Sequence, residues 1–240
     1  MSVERAKYNP EAEDQKSVAR IENYEIEELE EPIWEILRQL RESIKSGDFS
    51  TIIGDDASGR IPALIFGKFL NGYNTKHGLN KVETLFFAGS GRNPKEDFEH
   101  YIKSDEIEAY LKTQGLDRDV LIVTDTVSSG NSLRPLTIAL KRIGKKYEIA
   151  SVGKSTSNEL GITEALGVTP KFGFKDRAPR VYGVLELAGV RKHTGDLFGK
   201  RYKDKYESEE AIEIQGNVNQ ARIDANQVAE NLLDKFEELE

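Results

Sequence analysis

The sequence predicts an α/β protein built on a parallel sheet with helices on both faces. Two observations predict it: short apolar, β-branched runs alternate with helical-period stretches from Ser50 to Leu166, and Gly- or Ser-rich turns stand at most of the joints. At 240 residues the chain suffices for one substantial core with appendages, and one domain is expected.

Residues 1–31 are polar and acidic, with six glutamates between Glu22 and Glu31, and are expected to form a mobile tail. Pro32 then opens a helix whose Ile33, Leu37, Leu40 and Ile44 share one face, and Gly47 stops it. The lone Trp34 on this helix is assigned to packing. Ser50–Gly54 reads as a strand, Pro62–Leu70 as a helix, Val82–Ala88 as a strand and Asp105–Thr113 as a helix. The strand Val120–Asp125, the helix Leu133–Ile143 and the strand Glu148–Val152 follow, then a helix over Asn158–Leu166. Lys171–Phe174 and Arg180–Leu185 read as short strands, which completes a domain over residues 32–206. Within 207–240, Val218, Ala221, Ala225, Val228, Leu232, Phe236 and Leu239 recur at three- and four-residue steps. That spacing makes an amphipathic helix, which either packs on the domain or pairs between subunits.

Composition removes several classes. Charged residues are 32% and hydrophobic residues 38%, which suits a soluble protein. No apolar run approaches the ~20 residues of a membrane span, and residues 1–16 lack a signal peptide's apolar stretch, so a cytoplasmic location is expected. Cysteine is absent, which excludes disulfides and thiolate chemistry, and the three histidines are too scattered for a zinc hydrolase. A net charge of −8 argues against nucleic acid as a partner. The basic run Lys192, His193, Lys200, Arg201, Lys203 and Lys205 is read as a solvated face or a subunit contact in preference to a phosphate or nucleic-acid site.

The segment Val120–Leu133 carries the most chemistry. An apolar strand leads through Thr124 to Asp125, and Thr126 and Val127 pass into Ser128, Ser129, Gly130, Asn131 and Ser132, which open a helix. Backbone N–H groups and hydroxyls gathered at a helix N-terminus suit a phosphate dianion, with Gly130 permitting close approach. Asp125 would stand one sugar's length away to accept from ribose hydroxyls. The plainer alternative is an ordinary strand-to-helix turn with a serine-rich cap. This stretch resembles the phosphoribosyl pyrophosphate-binding motif of type I phosphoribosyltransferases. It departs from it at Thr124, where the family has an acid, and at Asn131, where it often has a second glycine.

Upstream, Ser50–Ala63 is similar to that family's pyrophosphate loop, with a strand ending in Gly54, the turn Asp55, Asp56, Ala57, Ser58, Gly59 and Arg60, and Pro62-Ala63 in the next helix. The resemblance, over about residues 48–190, implies the family's parallel-sheet fold and a ribose 5-phosphate transfer from phosphoribosyl pyrophosphate to a nucleobase-like acceptor. Asp125 and Arg60 would be the catalytic residues. Mg2+ is the expected cofactor, with Asp125 and Asp56 as its candidate ligands; Asp55 and Asp56 would repel a pyrophosphate unless such a cation lay between. The loop Gly89–Lys95 stands where the family extends a mobile hood, with Arg92 and Lys95 to close on pyrophosphate; a loop with incidental charges fits as well. Tyr182 is a candidate for stacking the base, against the commoner fate of an aromatic in a core. A homodimer is expected. The rival is a module that binds phosphoribosyl pyrophosphate or a nucleotide 5'-phosphate without turnover, which Thr124 and Ala57 favour.

Overall fold

A computed structural model describes residues 21–55, 57–87, 97–183, 185–191, 198, 200–201, 204 and 207–239. Of residues 97–102, 182–183, 185–186, 191 and 200 it describes the backbone alone. The order is helix Tyr24–Glu27 (α1), Glu30–Gln39 (α2), Arg41–Lys45 (α3), strand Phe49–Asp55 (β1), Arg60–Lys76 (α4), Glu83–Phe87 (β2), Asp97–Gln114 (α5) and Asp119–Val127 (β3). Then follow Arg134–Arg142 (α6), Tyr147–Lys154 (β4), Glu159–Leu166 (α7), Lys171–Phe172 (β5), two 3-10 turns, Val190–Arg191 (β6), Lys200–Arg201 (β7) and Ser208–Glu237 (α8).

Five strands pair in parallel in the order β2-β1-β3-β4-β5, while β6 and β7 form a separate antiparallel pair. Both faces of the parallel sheet are covered, so its strands read as nearly unbroken apolar runs rather than alternating ones. The pleat splits them between two cores. Ile52, Leu121, Val123, Ala150 and Val152 meet α2, α4 and α8, whereas Ile53, Val120, Ile122 and Ile149 meet α5, α6 and α7. The α/β class with helices on both faces is therefore as the sequence predicts.

Several boundaries move, each for a physical reason. The expected tail is structured from residue 21: α1 precedes Pro32, which lies inside the first turn of α2, and Ile26 and Leu29 are fully buried in the first core. Glutamate counting hid these two anchors. The expected single helix breaks at Leu40, whose ψ of 5° separates α2 from α3. α4 runs to Lys76, past the stop read at Leu70, because Gly72 is a packing glycine: a Cβ there would meet Leu233 Cδ2 at 2.9 Å.

Arg180–Leu185, expected as a strand, forms the 3-10 turns Arg180–Gly183 and Leu185–Ala188. The chain after β5 already lies along the end of β4, where Phe174 N donates to Val152 O and Lys154 N to Arg177 O. Pro179 then has no N–H to offer a ladder, and Val181 and Leu187 turn instead into the first core.

α8 begins ten residues before the periodicity at Val218 suggests and packs on the domain itself. Phe236 meets Trp34, Phe69 and Tyr73 edge-on, with centroids 6.3, 5.4 and 5.5 Å away. That places Trp34 in packing, as expected. Farther up α8, Asp224 is buried and ties the N-terminal segment down: its oxygens accept from Glu22 N, Asn23 N, Asn23 Nδ2 and Gln220 Nε2 at 2.6–3.3 Å. Among the described residues no helix is long and apolar enough to cross a membrane.

Removing that carboxylate orphans two N–H groups at the start of α1. Asp224→Ala should therefore cost about 2–3 kcal/mol, read as a lower urea midpoint with an unchanged slope. An unchanged midpoint would show that water replaces the carboxylate there without loss.

Candidate functional site at the carboxyl ends of β1 and β3

β1 and β3 are neighbours, with Gly54 opposite Val123, so Asp55 lies beside Thr124 at the carboxyl edge of the sheet. From β1 the chain crosses by α4 to β2 on one side, and from β3 by α6 to β4 on the other. The two connections diverge. In open α/β sheets the crevice left between them is where ligands bind.

The two turns flanking this crevice are built on glycines. Gly59 N donates to Asp55 O at 2.7 Å, closing the turn that leads from β1 into α4. A Cβ on Gly59 would lie 2.7 Å from the carbonyl oxygen of Val123 and 2.8 Å from that of Asp55. Backbone meets backbone here, which lets the first turn rest directly on β3. On the β3 side, Gly130 has φ 79° and its absent Cβ leaves room for Leu166. Its carbonyl accepts from Leu133 N and Arg134 N, so a tight turn precedes α6.

Ser128, Ser129, Asn131 and Ser132 are exposed around that turn. Asn131 N donates to Ser129 Oγ at 3.4 Å. Among the described residues, no backbone carbonyl accepts from the N–H groups of Ser128, Ser129, Gly130 or Ser132. The structure thus brings Ser128–Ser132 together in a turn that precedes α6, whose N-cap is Leu133.

The strand end behind the turn is closed. Asp125 is 2% exposed, Thr124 1% and Asp55 5%. The Thr124 hydroxyl donates to Asp125 Oδ1 at 3.4 Å. β3 extends two residues beyond the expected end, so Thr126 and Val127 belong to the strand rather than to the loop. The Thr126 hydroxyl is buried and has no hydrogen-bond partner among the described residues, a cost a strand end rarely carries without a ligand or water to relieve it.

In the first turn Ala57 is buried and Ser58 half-buried. Arg60 opens α4, and its guanidinium lies over the Phe86 ring at 4.2 Å. Asp56, Arg92 and Lys95 lie outside the described residues, as does the side chain of Tyr182, whose backbone sits in a 3-10 turn. Among the described residues no group of three or more His, Cys, Asp or Glu side chains converges on one point.

Sequence reasoning passed over Lys154. It ends β4 opposite Val127, and Ser155 N donates to Val127 O, so the residue stands one strand from the start of the serine turn. Its ammonium bonds Glu159 at 2.5 Å and holds that exposed carboxyl below the usual carboxylate range, and it lies over Phe172 at 5.5 Å. A signal was present: β4 is an apolar run followed by Lys154-Ser-Thr-Ser-Asn158 and a helix, the same order of residue types as at β3. There Asn158 serves as the cap, accepting from Gly161 N at 3.0 Å.

The chain is, on fold and site, an all-parallel five-stranded α/β protein with glycine turns on both sides of its strand-order switch. No family model matches it, nor does any curated protein or solved structure.

The Gly59 contact gives a direct check on this crevice. Gly59→Ala forces the turn away from β3 and should cost about 1–3 kcal/mol in urea unfolding. A neutral substitution would mean that the turn does not rest on Val123.

Proposed function

We propose that the chain binds a ribose 5-phosphate group at the Ser128–Ser132 turn and transfers it from phosphoribosyl pyrophosphate to a nucleobase-like acceptor. In that reaction the acceptor nitrogen forms a bond to C1 of the ribose, the C1–oxygen bond breaks, and pyrophosphate leaves with the electron pair. The observation that carries the reading is the glycine-built turn Ser128–Ser132 at the switch point, with exposed hydroxyls and, among the described residues, no backbone carbonyl accepting from the N–H groups of Ser128, Ser129, Gly130 or Ser132. The buried, unpartnered Thr126 hydroxyl beside it supports an occupant at that edge.

The remaining roles follow the crevice. Asp125, at the end of β3, would accept from the ribose hydroxyls, and Arg60, at the start of α4, would draw on the leaving pyrophosphate. Mg2+ would offset pyrophosphate charge when bound, with the Asp125 carboxylate its candidate ligand among the described residues. Positioning and charge stabilisation then supply the rate, with no covalent nucleophile. A cytoplasmic homodimer belongs to the same reading.

One observation favours a second reading, a binding module without turnover. Asp55 and Asp125 are nearly inaccessible, and Thr124 stands where an acid would otherwise face the substrate. Such a module would take a nucleotide 5'-phosphate at the serine turn and leave the acids in the fold.

The first two of the following outcomes test the site, and the third decides between transfer and binding alone. Ser129→Asp sets a carboxylate where the anion belongs and should abolish binding of ribose 5-phosphate by calorimetry with the melting temperature unchanged, whereas a large stability loss would mark the turn as a cap alone. Asp125→Asn should weaken binding roughly ten- to a hundredfold, the loss of one charge-assisted hydrogen bond; unchanged affinity would put the sugar elsewhere. Incubation with phosphoribosyl pyrophosphate and Mg2+ across purines, pyrimidines and orotate should release pyrophosphate with at least one base. Tight binding of a nucleoside monophosphate with no release from any base would leave the module.

A further inference from the structure

The chain that leaves β5, residues 173–180, keeps to the lane of that strand along the carboxyl end of β4. Gly173 N donates to Ser151 O, Phe174 N to Val152 O and Lys154 N to Arg177 O. At Gly153 the contact is backbone on backbone, since a Cβ there would run into Arg177 O and lie 3.1 Å from Ala178 Cα. Gly153 is the register partner of Thr126, so the loop stands two strand spacings, ~10 Å, from the end of β3. Lys175 reaches the turn from β4 into α7. The Glu159 carboxyl there, lowered first by its hydrogen bond to Lys154, is lowered further by the Lys175 charge. The loop therefore borders the carboxyl edge of the sheet on the β4 side of the serine turn.

One side chain grips this loop from outside it. Glu28, at the C-cap of α1, extends a carboxylate only 10% exposed, with Oε1 2.9 Å from Arg177 Nη2 and Oε2 3.5 Å from Arg180 Nε. Each guanidinium also covers a ring, Arg177 that of Phe174 at 4.1 Å and Arg180 that of Tyr24 at 5.2 Å. α1 is itself a fixed point, because Ile26 and Leu29 are fully buried and Asp224 accepts from Glu22 N and Asn23 N. Both arginine side chains are more than half exposed. Released, they would turn to water, so the contact adds little to global stability. What it supplies is order: a loop held by ion pairs from a fixed helix is in place before a ligand arrives.

We propose that Glu28 is a positioning residue for the base end of the ligand: through Arg177 and Arg180 it presets the loop 173–180 that receives the base. The ligand half of this rests on the phosphate site proposed above; the holding of the loop does not. In a displacement at C1 the acceptor and the leaving pyrophosphate take opposite sides of that carbon. With Arg60 drawing pyrophosphate toward β1, the acceptor lies toward β4, where this loop runs. The base touches the loop, and Glu28, acting through it, touches no ligand.

Calorimetry of the full chain with ribose 5-phosphate and with adenosine, guanosine, cytidine and uridine 5'-monophosphates separates the two parts of the ligand. At least one monophosphate should bind more tightly than ribose 5-phosphate. Glu28→Gln, which keeps the shape and drops the charge, should weaken that monophosphate about tenfold, the cost of ordering the loop on binding. Ribose 5-phosphate affinity and the melting temperature should stay as in wild type. Without ligand, trypsin should cut Glu28→Gln and Glu28→Ala faster at Lys175, Arg177 and Arg180 and nowhere else. Unchanged cleavage at those sites overturns the holding of the loop. Faster cleavage along the whole chain, or a lower melting temperature, overturns it too by making Glu28 part of the global fold. Released cleavage with no loss of monophosphate affinity, or with equal losses for both ligands, overturns the positioning role. A wild-type protein that binds no monophosphate more tightly than ribose 5-phosphate also overturns it, while leaving the phosphate site standing. If none of these ligands binds, the phosphate site and the ligand half fall together, and the trypsin comparison still decides whether Glu28 fixes the loop.

Discussion

The divergence of chain at β1 and β3 is the constraint on which everything at this end of the molecule depends. Strand–helix–strand connections in one sheet turn right-handed, because a right-twisted strand feeding a right-handed helix packs back onto the sheet only that way. With the order β2-β1-β3-β4-β5, α4 must then cover one face and α5 and α6 the other. The loops leaving β1 and β3 separate. A crevice at that point is thus a consequence of topology before any residue in it is chosen.

What the residues decide is how close the two turns come. Gly59 lets backbone rest on backbone at Val123, and Gly130 turns the chain in the left-handed region against Leu166. Between them the end of β3 buries a carboxylate and two threonine side chains wholly or in part, a polar group of residues in an otherwise apolar sheet. Burying polar groups at a strand end costs free energy unless partners relieve it.

The opposite face shows where stability resides. α8 lies on α4 with Phe236 set among Trp34, Phe69 and Tyr73, and Asp224 fastens the first described residues to the last helix. Both ends of the described chain are therefore held on the face away from α5 and α6.

The sequence by itself determined the alternation of strands and helices, because apolar runs such as Val120–Val123 and helical periods such as Val218–Phe236 are local properties of the chain. It also determined the two glycine turns, since Gly59 and Gly130 announce themselves as breaks between a strand and a helix. It could not determine that Gly72 lies inside a helix, because that glycine answers to Leu233 on α8 rather than to its neighbours. Nor could it keep Arg180–Leu185 out of the sheet: the apolar residues there match a strand, and only the chain already lying along β4 turns them inward. Ile26 and Leu29 vanish among glutamates until α2 and α8 give them a core to enter. Phe198 reads as one more aromatic in a basic loop until folding sets it on Phe87 and Tyr110. Contacts between residues far apart in the chain are decided by packing, and packing exists only in the tertiary structure.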